Sequence, residues 1–199
     1  MRLSCSQLCI TNHSGQGAVR AGAVDYAAVV TILDRSRCAL VLIDLMERIA
    51  ALPLEPRSGD AVVAASAELA RRFRAAGAPV IAVRVERPGV AEQPPGSGLV
   101  AEIAELADAV VVKRTIGAFY GTELDGLLRA RGVETVVLTG IATNLGVEST
   151  ARAAADHGYE LVFPEDALAG LTAAEHEAAV ALDLPRFGSV VTSAEIELG

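Results

Sequence analysis

The chain has 199 residues, 52% hydrophobic, 21% charged and 4% aromatic, with 17 Lys and Arg against 25 Asp and Glu for a formal charge of -8. That is the composition of one globular domain, long enough to bury roughly 70% of the surface its unfolded form exposes without a disulfide or metal to supply a missing core. The acidic balance and scattered Arg residues exclude a nucleic-acid protein, no apolar run reaches the roughly 18 residues of a membrane helix, and the odd set Cys5, Cys9 and Cys38 fits a reducing cytoplasm better than a disulfide framework.

Residues 1–24 read as a loosely docked or disordered tail, because the apolar residues after Arg2 are broken by Ser, Gln, Thr and Asn before any signal-peptide core can form. The domain is expected over 25–199. From Cys38 onward, short β-branched runs alternate with Ala-rich helical patterns, the pattern of a parallel sheet covered on both faces. The runs at 38–44, 79–85, 109–113, 134–140, 160–164 and 189–193 predict six strands in a three-layer α/β/α, Rossmann-like fold. Between the first two, Ser58 is an N-cap and Gly77 a C-terminal cap for one helix. Thr122 with Asp125 resembles a capping box for the next, closed by Gly132, and Thr172 with Glu175 forms one for the last. The Pro/Gly-rich segment 86–98 follows the second strand and is either a lid or a passive connection.

In such folds ligands bind outside the carboxyl ends of the strands. Three elements fall there: Asp44 after the first run, Lys113 ending the third, and the turn Gly140–Gly146 between the fourth run and its helix. An Asp at the end of an apolar strand is partly desolvated, and a neighbouring Lys keeps it ionised, so the pair can pass a proton near neutral pH. Taken singly, Asp44 reads equally as a loop carboxylate and Lys113 as a solvated strand end.

The strings ALVLIDL, VVVKRTIGAFYGTELDGLLRARGVETVVLTGIATNLGVESTARAAADHGY and VFPEDALAGLTAAEHEAAV resemble the isochorismatase-like hydrolase superfamily, which also contains nicotinamidases and other cysteine amidases. The resemblance covers about residues 33–197 and implies a catalytic Asp, Lys and Cys, of which Asp44 and Lys113 match the first two. At the cysteine position the chain has Gly146, as true isochorismatases do, so the resemblance implies hydrolysis by an acid and water rather than by a thiol. It further implies a non-proline cis peptide before Ala142, an oxyanion site from the N–H groups of Ala142 and Gly146, and a homo-oligomer, dimer or tetramer. Ala142, Thr143 and Asn144 of the turn are expected to contact the substrate, and Thr143 and Asn144 look more like the amidase branch. Glu47 stands where many members have Gln, and no His lies between Asp44 and Lys113 to make the zinc site of nicotinamidases. No metal or cofactor is expected.

Arg84 and Arg114 either hold a substrate carboxylate or pair with Glu86 or Glu123. Phe119 and Tyr120 either wall the pocket or anchor the core. His157 and His176 read as structural, and Asp166 as a cap or turn carboxylate. The expectation is a cytoplasmic hydrolase acting on a small carboxylated or amide-like molecule, with no nucleic-acid or membrane partner. The alternative is a non-catalytic relative serving as a ligand-binding or oligomer-forming module.

Overall fold

The computed structural model describes residues 30–199. The expected tail over 1–24, with Cys5 and Cys9, lies outside the described residues. In chain order the strands are β1 (Thr31–Leu33), β2 (Cys38–Ile43), β3 (Val80–Val85), β4 (Ala109–Lys113), β5 (Thr135–Ile141), β6 (Glu160–Pro164), β7 (Leu168–Ala169), β8 (Ser189–Val191) and β9 (Ile196–Leu198). The helices are α1 (Glu47–Ala50), α2 (Gly59–Ala76), α3 (Ala101–Leu106), α4 (Leu124–Arg129), α5 (Glu148–Asp156) and α6 (Ala173–Ala178). Among the described residues no helix is long and apolar enough to cross a membrane.

The six expected strands form one parallel sheet in the order β4-β3-β2-β5-β6-β8, with β7 added beside the end of β5. β2 sits at its centre, paired with β3 through Leu40–Val80 and with β5 through Cys38–Thr135. Successive residues of a strand face opposite sides. Cys38, Leu40 and Leu42 accordingly pack with Val62, Leu69 and Phe73 of α2 and Ile103 of α3, while Ala39, Val41 and Ile43 pack with Leu124 and Leu128 of α4 and Ala151 and Ala154 of α5. The result is the expected three-layer α/β/α arrangement.

Two features depart from the expectation. β1 and β9 form a separate two-stranded parallel pair, Thr31 opposite Ile196, from runs too short to carry a periodic signal. The short helices α1 and α3 have no side-chain cap to announce them. The caps fare unevenly. Ser58 accepts from Ala61 N, Gly77 closes α2 with φ 79°, and Thr172 accepts from Glu175 N. Thr122, however, accepts from Leu124 N, while the Asp125 carboxylate accepts from the Tyr159 hydroxyl at 2.8 Å, so the expected Thr122–Asp125 box is not made.

Strand order reverses between β2 and β5: β3 and β4 extend the sheet to one side, β6 and β8 to the other. The crevice outside the carboxyl ends at such a switch point is where an open α/β sheet binds ligands.

Candidate active site

β2 ends at Ile43, and the backbone turns at Asp44, whose φ of 54° is the one positive value among the described non-glycine residues. Asp tolerates this region better than most residues, and such a conformation persists where its surroundings hold it. Here Asp44 N donates to Val83 O at 2.9 Å and Met46 N donates to Asp44 O at 2.8 Å.

The carboxylate meets Lys113, the last residue of β4, with Nζ 2.8 Å from Oδ2. Lys113 also donates to Ile116 O at 2.5 Å. Asp44 is 6% exposed and Lys113 only 1%, so both charges have been taken out of water, a cost that close pairing repays. The second carboxylate oxygen, Oδ1, is buried and has no hydrogen-bond partner among the described residues. Burial pushes the Asp44 carboxyl above the usual carboxylate range, against the opposing pull of Lys113 and, more weakly, of Arg48.

The turn after β5 completes the site. Gly140 has φ 123°, and a Cβ there would lie 2.0 Å from Ile43 O, so β5 and β2 approach each other in a way only glycine permits. The Ile141–Ala142 peptide is cis. Thr143–Val147 then make a wide π turn that leads directly into α5. Gly146, within this turn, is a different case from Gly140, because its φ is not positive and its backbone would accept any residue. A Cβ at Gly146 would stand 3.1 Å from Asp44 Oδ2, Lys113 Nζ and Ile43 Cγ2 alike. The position points at the ion pair. Thr150 Oγ1 braces it, donating to Gly146 O at 2.6 Å while accepting from Ala118 N at 3.1 Å.

Asp44, Lys113, Ala142 and Gly146 open onto one cleft of about 460 Å³, with apolar Leu52, Leu145 and Leu171 on its wall. Arg114 lies on the same cleft and donates to Glu86 at 2.8 Å; Arg84 donates to the same Glu86 at 2.7 Å but is not on the wall. Of the two readings open for these arginines, the structure shows the Glu86 pairing. Thr143 and Asn144 hold the turn rather than line the cleft: Thr143 Oγ1 lies 2.8 Å from His176 Nδ1, and Asn144 Oδ1 is buried.

Phe119 and Tyr120 require a correction, since they do not wall this cleft. After Lys113 the chain packs tightly at Gly117, where a Cβ would come within 2.8 Å of Ser149 Oγ, and runs out toward the far end of α5. There Phe119 stacks on His157, centroids 4.9 Å apart, and Tyr120 is 81% exposed. Asp166 ties down a turn, accepting from Ser193 N at 2.7 Å. Cys38 begins β2, at the opposite end of the strand from Asp44, and burial together with Asp34 pushes its thiol up to about 11. Among the described residues no three His, Cys, Asp or Glu side chains gather as a metal site would require.

Several residues of the cleft carry no signal in the sequence, among them Leu52, Arg87, Leu171 and, most consequentially, Arg48. Arg48, in α1, lines the cleft and donates through Nε to Ser97 Oγ at 3.2 Å. No local pattern announces it, because Asp44 lies outside α1 and the partner that orients Arg48, Ser97, comes from a distant loop.

Comparison with known proteins agrees with this geometry. The model of the isochorismatase domain matches residues 38–195. An uncharacterized isochorismatase family protein of Escherichia coli O157:H7, YecD, is 39% identical over 181 residues, covering 82% of this chain and 96% of that protein. Among solved structures, an isochorismatase family protein from Burkholderia thailandensis is 40% identical with a TM-score of 0.73, covering 84% of this chain and 96% of its own. N-carbamoylsarcosine amidase from Thermoplasma acidophilum is 28% identical with a TM-score of 0.68, covering 81% and 99%. A match that runs from the first residue of β2 to the last before β9, over a sheet of the same fold, makes this chain a member of the isochorismatase-like hydrolase family.

Proposed function

We propose that the chain hydrolyses a small carboxylated or amide-like molecule with Asp44, Lys113 and water, and with no cysteine nucleophile. The observation that carries this reading is the buried ion pair, Nζ to Oδ2 at 2.8 Å, set beside a residue without a side chain on the wall of a cleft. A buried ion pair contributes little stability that a well-packed apolar pair would not match. Its presence at two strand ends is therefore better accounted for by chemistry than by folding.

Burial raises the Asp44 carboxyl above the usual carboxylate range and so favours its acid form. In vinyl-ether hydrolysis of the isochorismatase type, protonated Asp44 gives its proton to the alkene carbon, and the C=C electron pair forms the new C–H bond. Water adds to the resulting oxocarbenium carbon and returns a proton to the Asp44 carboxylate, and the hemiketal then collapses to an alcohol and a carbonyl. Lys113 stabilises the carboxylate at the moment the proton leaves. The amidase among the structural neighbours supports amide-like substrates as well, and at Gly146 such a bond would be met by water directly.

The exposed Leu52, Leu145 and Leu171 on the cleft wall support an oligomer in which a second copy covers the cleft mouth. The test is to incubate purified protein with isochorismate, N-carbamoylsarcosine and a panel of small amides and enol ethers, following products by mass spectrometry beside Asp44→Asn. Turnover abolished by the substitution supports the reading. Tight binding of these compounds without turnover would assign the chain to the ligand-binding alternative.

A further inference from the structure

The chain as a whole carries a formal charge of -8, yet the cleft has the opposite sign: Arg48, Arg87, Lys113 and Arg114 line it against Asp44 and Glu86 alone. Such a local excess of positive charge in an acidic protein concentrates anions where the rest of the surface repels them. Two of the four cations are already engaged. Lys113 is paired with Asp44, and Arg114 shares Glu86 with Arg84. Arg87 is exposed, on the 86–98 segment.

Arg48 is half-buried and makes no ion pair of 4.0 Å or less among the described residues. It is nevertheless held in place by Ser97 and Gly96. Its Nε donates to Ser97 Oγ at 3.2 Å, and its backbone N donates to Gly96 O at 3.0 Å. Gly96, at φ 70°, packs so closely that a Cβ on it would lie 3.1 Å from Arg48 Cβ and N. With Nε engaged, the two terminal nitrogens have no acceptor among the described residues and leave the outer edge of the guanidinium free. A planar fork so fixed matches the two oxygens of a carboxylate.

We propose that Arg48, braced by Ser97, receives a carboxylate of the substrate and makes the cleft selective for ligands that carry one beside the bond to be broken. This inference rests on the cleft being the substrate site. It also gives the Pro/Gly-rich 86–98 segment a part beyond connection, since its far end sets the rotamer of the selecting residue. The apolar wall of Leu52, Leu145 and Leu171 suits the remainder of such a molecule.

Benzoate and benzamide differ in charge and not in shape, and their binding can be measured by calorimetry without turnover. Wild-type protein is expected to prefer benzoate, and Arg48→Met to reduce that preference by about 10-fold or more, the worth of a charge-assisted fork. Arg48→Lys, which keeps the charge but not the fork, should fall between, and Ser97→Ala should weaken the preference less than Arg48→Met. Asp44→Asn should retain it, which separates carboxylate selection from hydrolysis. Arg35→Met, at the opposite end of the sheet, should leave it unchanged. Equal affinities for the two probes in wild type, no benzoate binding at millimolar concentration, or an unaltered preference in a folded Arg48→Met protein would each overturn the proposal. A benzoate preference dependent on Arg48 in a protein that turns over nothing would leave it standing and remove the hydrolase reading alone.

Discussion

Two cavities lie at opposite ends of the sheet, and the larger is not the one that holds the buried ion pair. The cavity at the amino ends of the strands, about 580 Å³, is walled by Arg35, Arg74, Asp108 and Arg131, against about 460 Å³ for the cleft at the carboxyl ends. At the amino ends the charges are spent on tying the fold together. Arg74 donates to Glu105 O and Leu106 O, Arg131 to Leu127 O, and Asp108 accepts from Val80 N at 2.9 Å. At the carboxyl ends a carboxylate and an ammonium have been withdrawn from water, and one carboxylate oxygen remains without a partner. Desolvated charge with an unused valence sets a candidate site apart from a merely polar surface.

The sharpest way to break this contrast is Asp44→Asn, which keeps shape and removes the titratable proton. Turnover should fall roughly 100-fold or more, the usual worth of a positioned acid. Stability gives a second readout with a definite sign. Because burial raises the folded-state pKa of Asp44, its favourable contribution is full below the ordinary carboxylate range and is lost as pH rises through the raised value. The Asn variant leaves Lys113 buried without its counter-charge and should melt lower than wild type, but the gap should narrow as pH rises; a gap that widens would count against the buried-acid account.

Lys113→Met should give the next largest loss of activity. Without the cation the carboxyl keeps its proton to higher pH, so the alkaline limb of the pH–rate profile should move upward, whereas an acid limb that moves upward would argue that Asp44 works as a base.

The two glycines of the turn separate folding from chemistry. Gly140→Ala forces a Cβ to within 2.0 Å of Ile43 O and should cost about 3 kcal/mol, read as a melting temperature lowered by roughly 10 °C. Gly146→Ala presses on the ion pair instead and should lower turnover several-fold with a smaller thermal shift. The smallest effects belong to the amino end. Arg35→Met should change stability by no more than about 0.5 kcal/mol and leave turnover untouched.

The parallel sheet was legible in the sequence because apolar runs mark where a strand stops, and Asp44 and Lys113, which meet at 2.8 Å, stand at two of those stops. The caps at Ser58 and Thr172 were legible because they act within one turn of chain. What the sequence concealed depends on contacts between distant segments. The β1–β9 pair joins the two ends of the described chain. Arg48 acquires its orientation from Ser97, in another loop. Phe119 is drawn from the cleft to His157 by packing at Gly117 and Ser149, which no local pattern encodes.

Gly146 has a consequence for descent. Its backbone does not demand glycine, and a Cβ there would need its neighbours at 3.1 Å to give by only a few tenths of an ångström. Glycine and cysteine codons differ by one base. A cleft with a thiol at this position and the present one with Gly146 would thus be mutational neighbours on one scaffold, since the sheet, the Asp44–Lys113 pair and the turn could stay as they are.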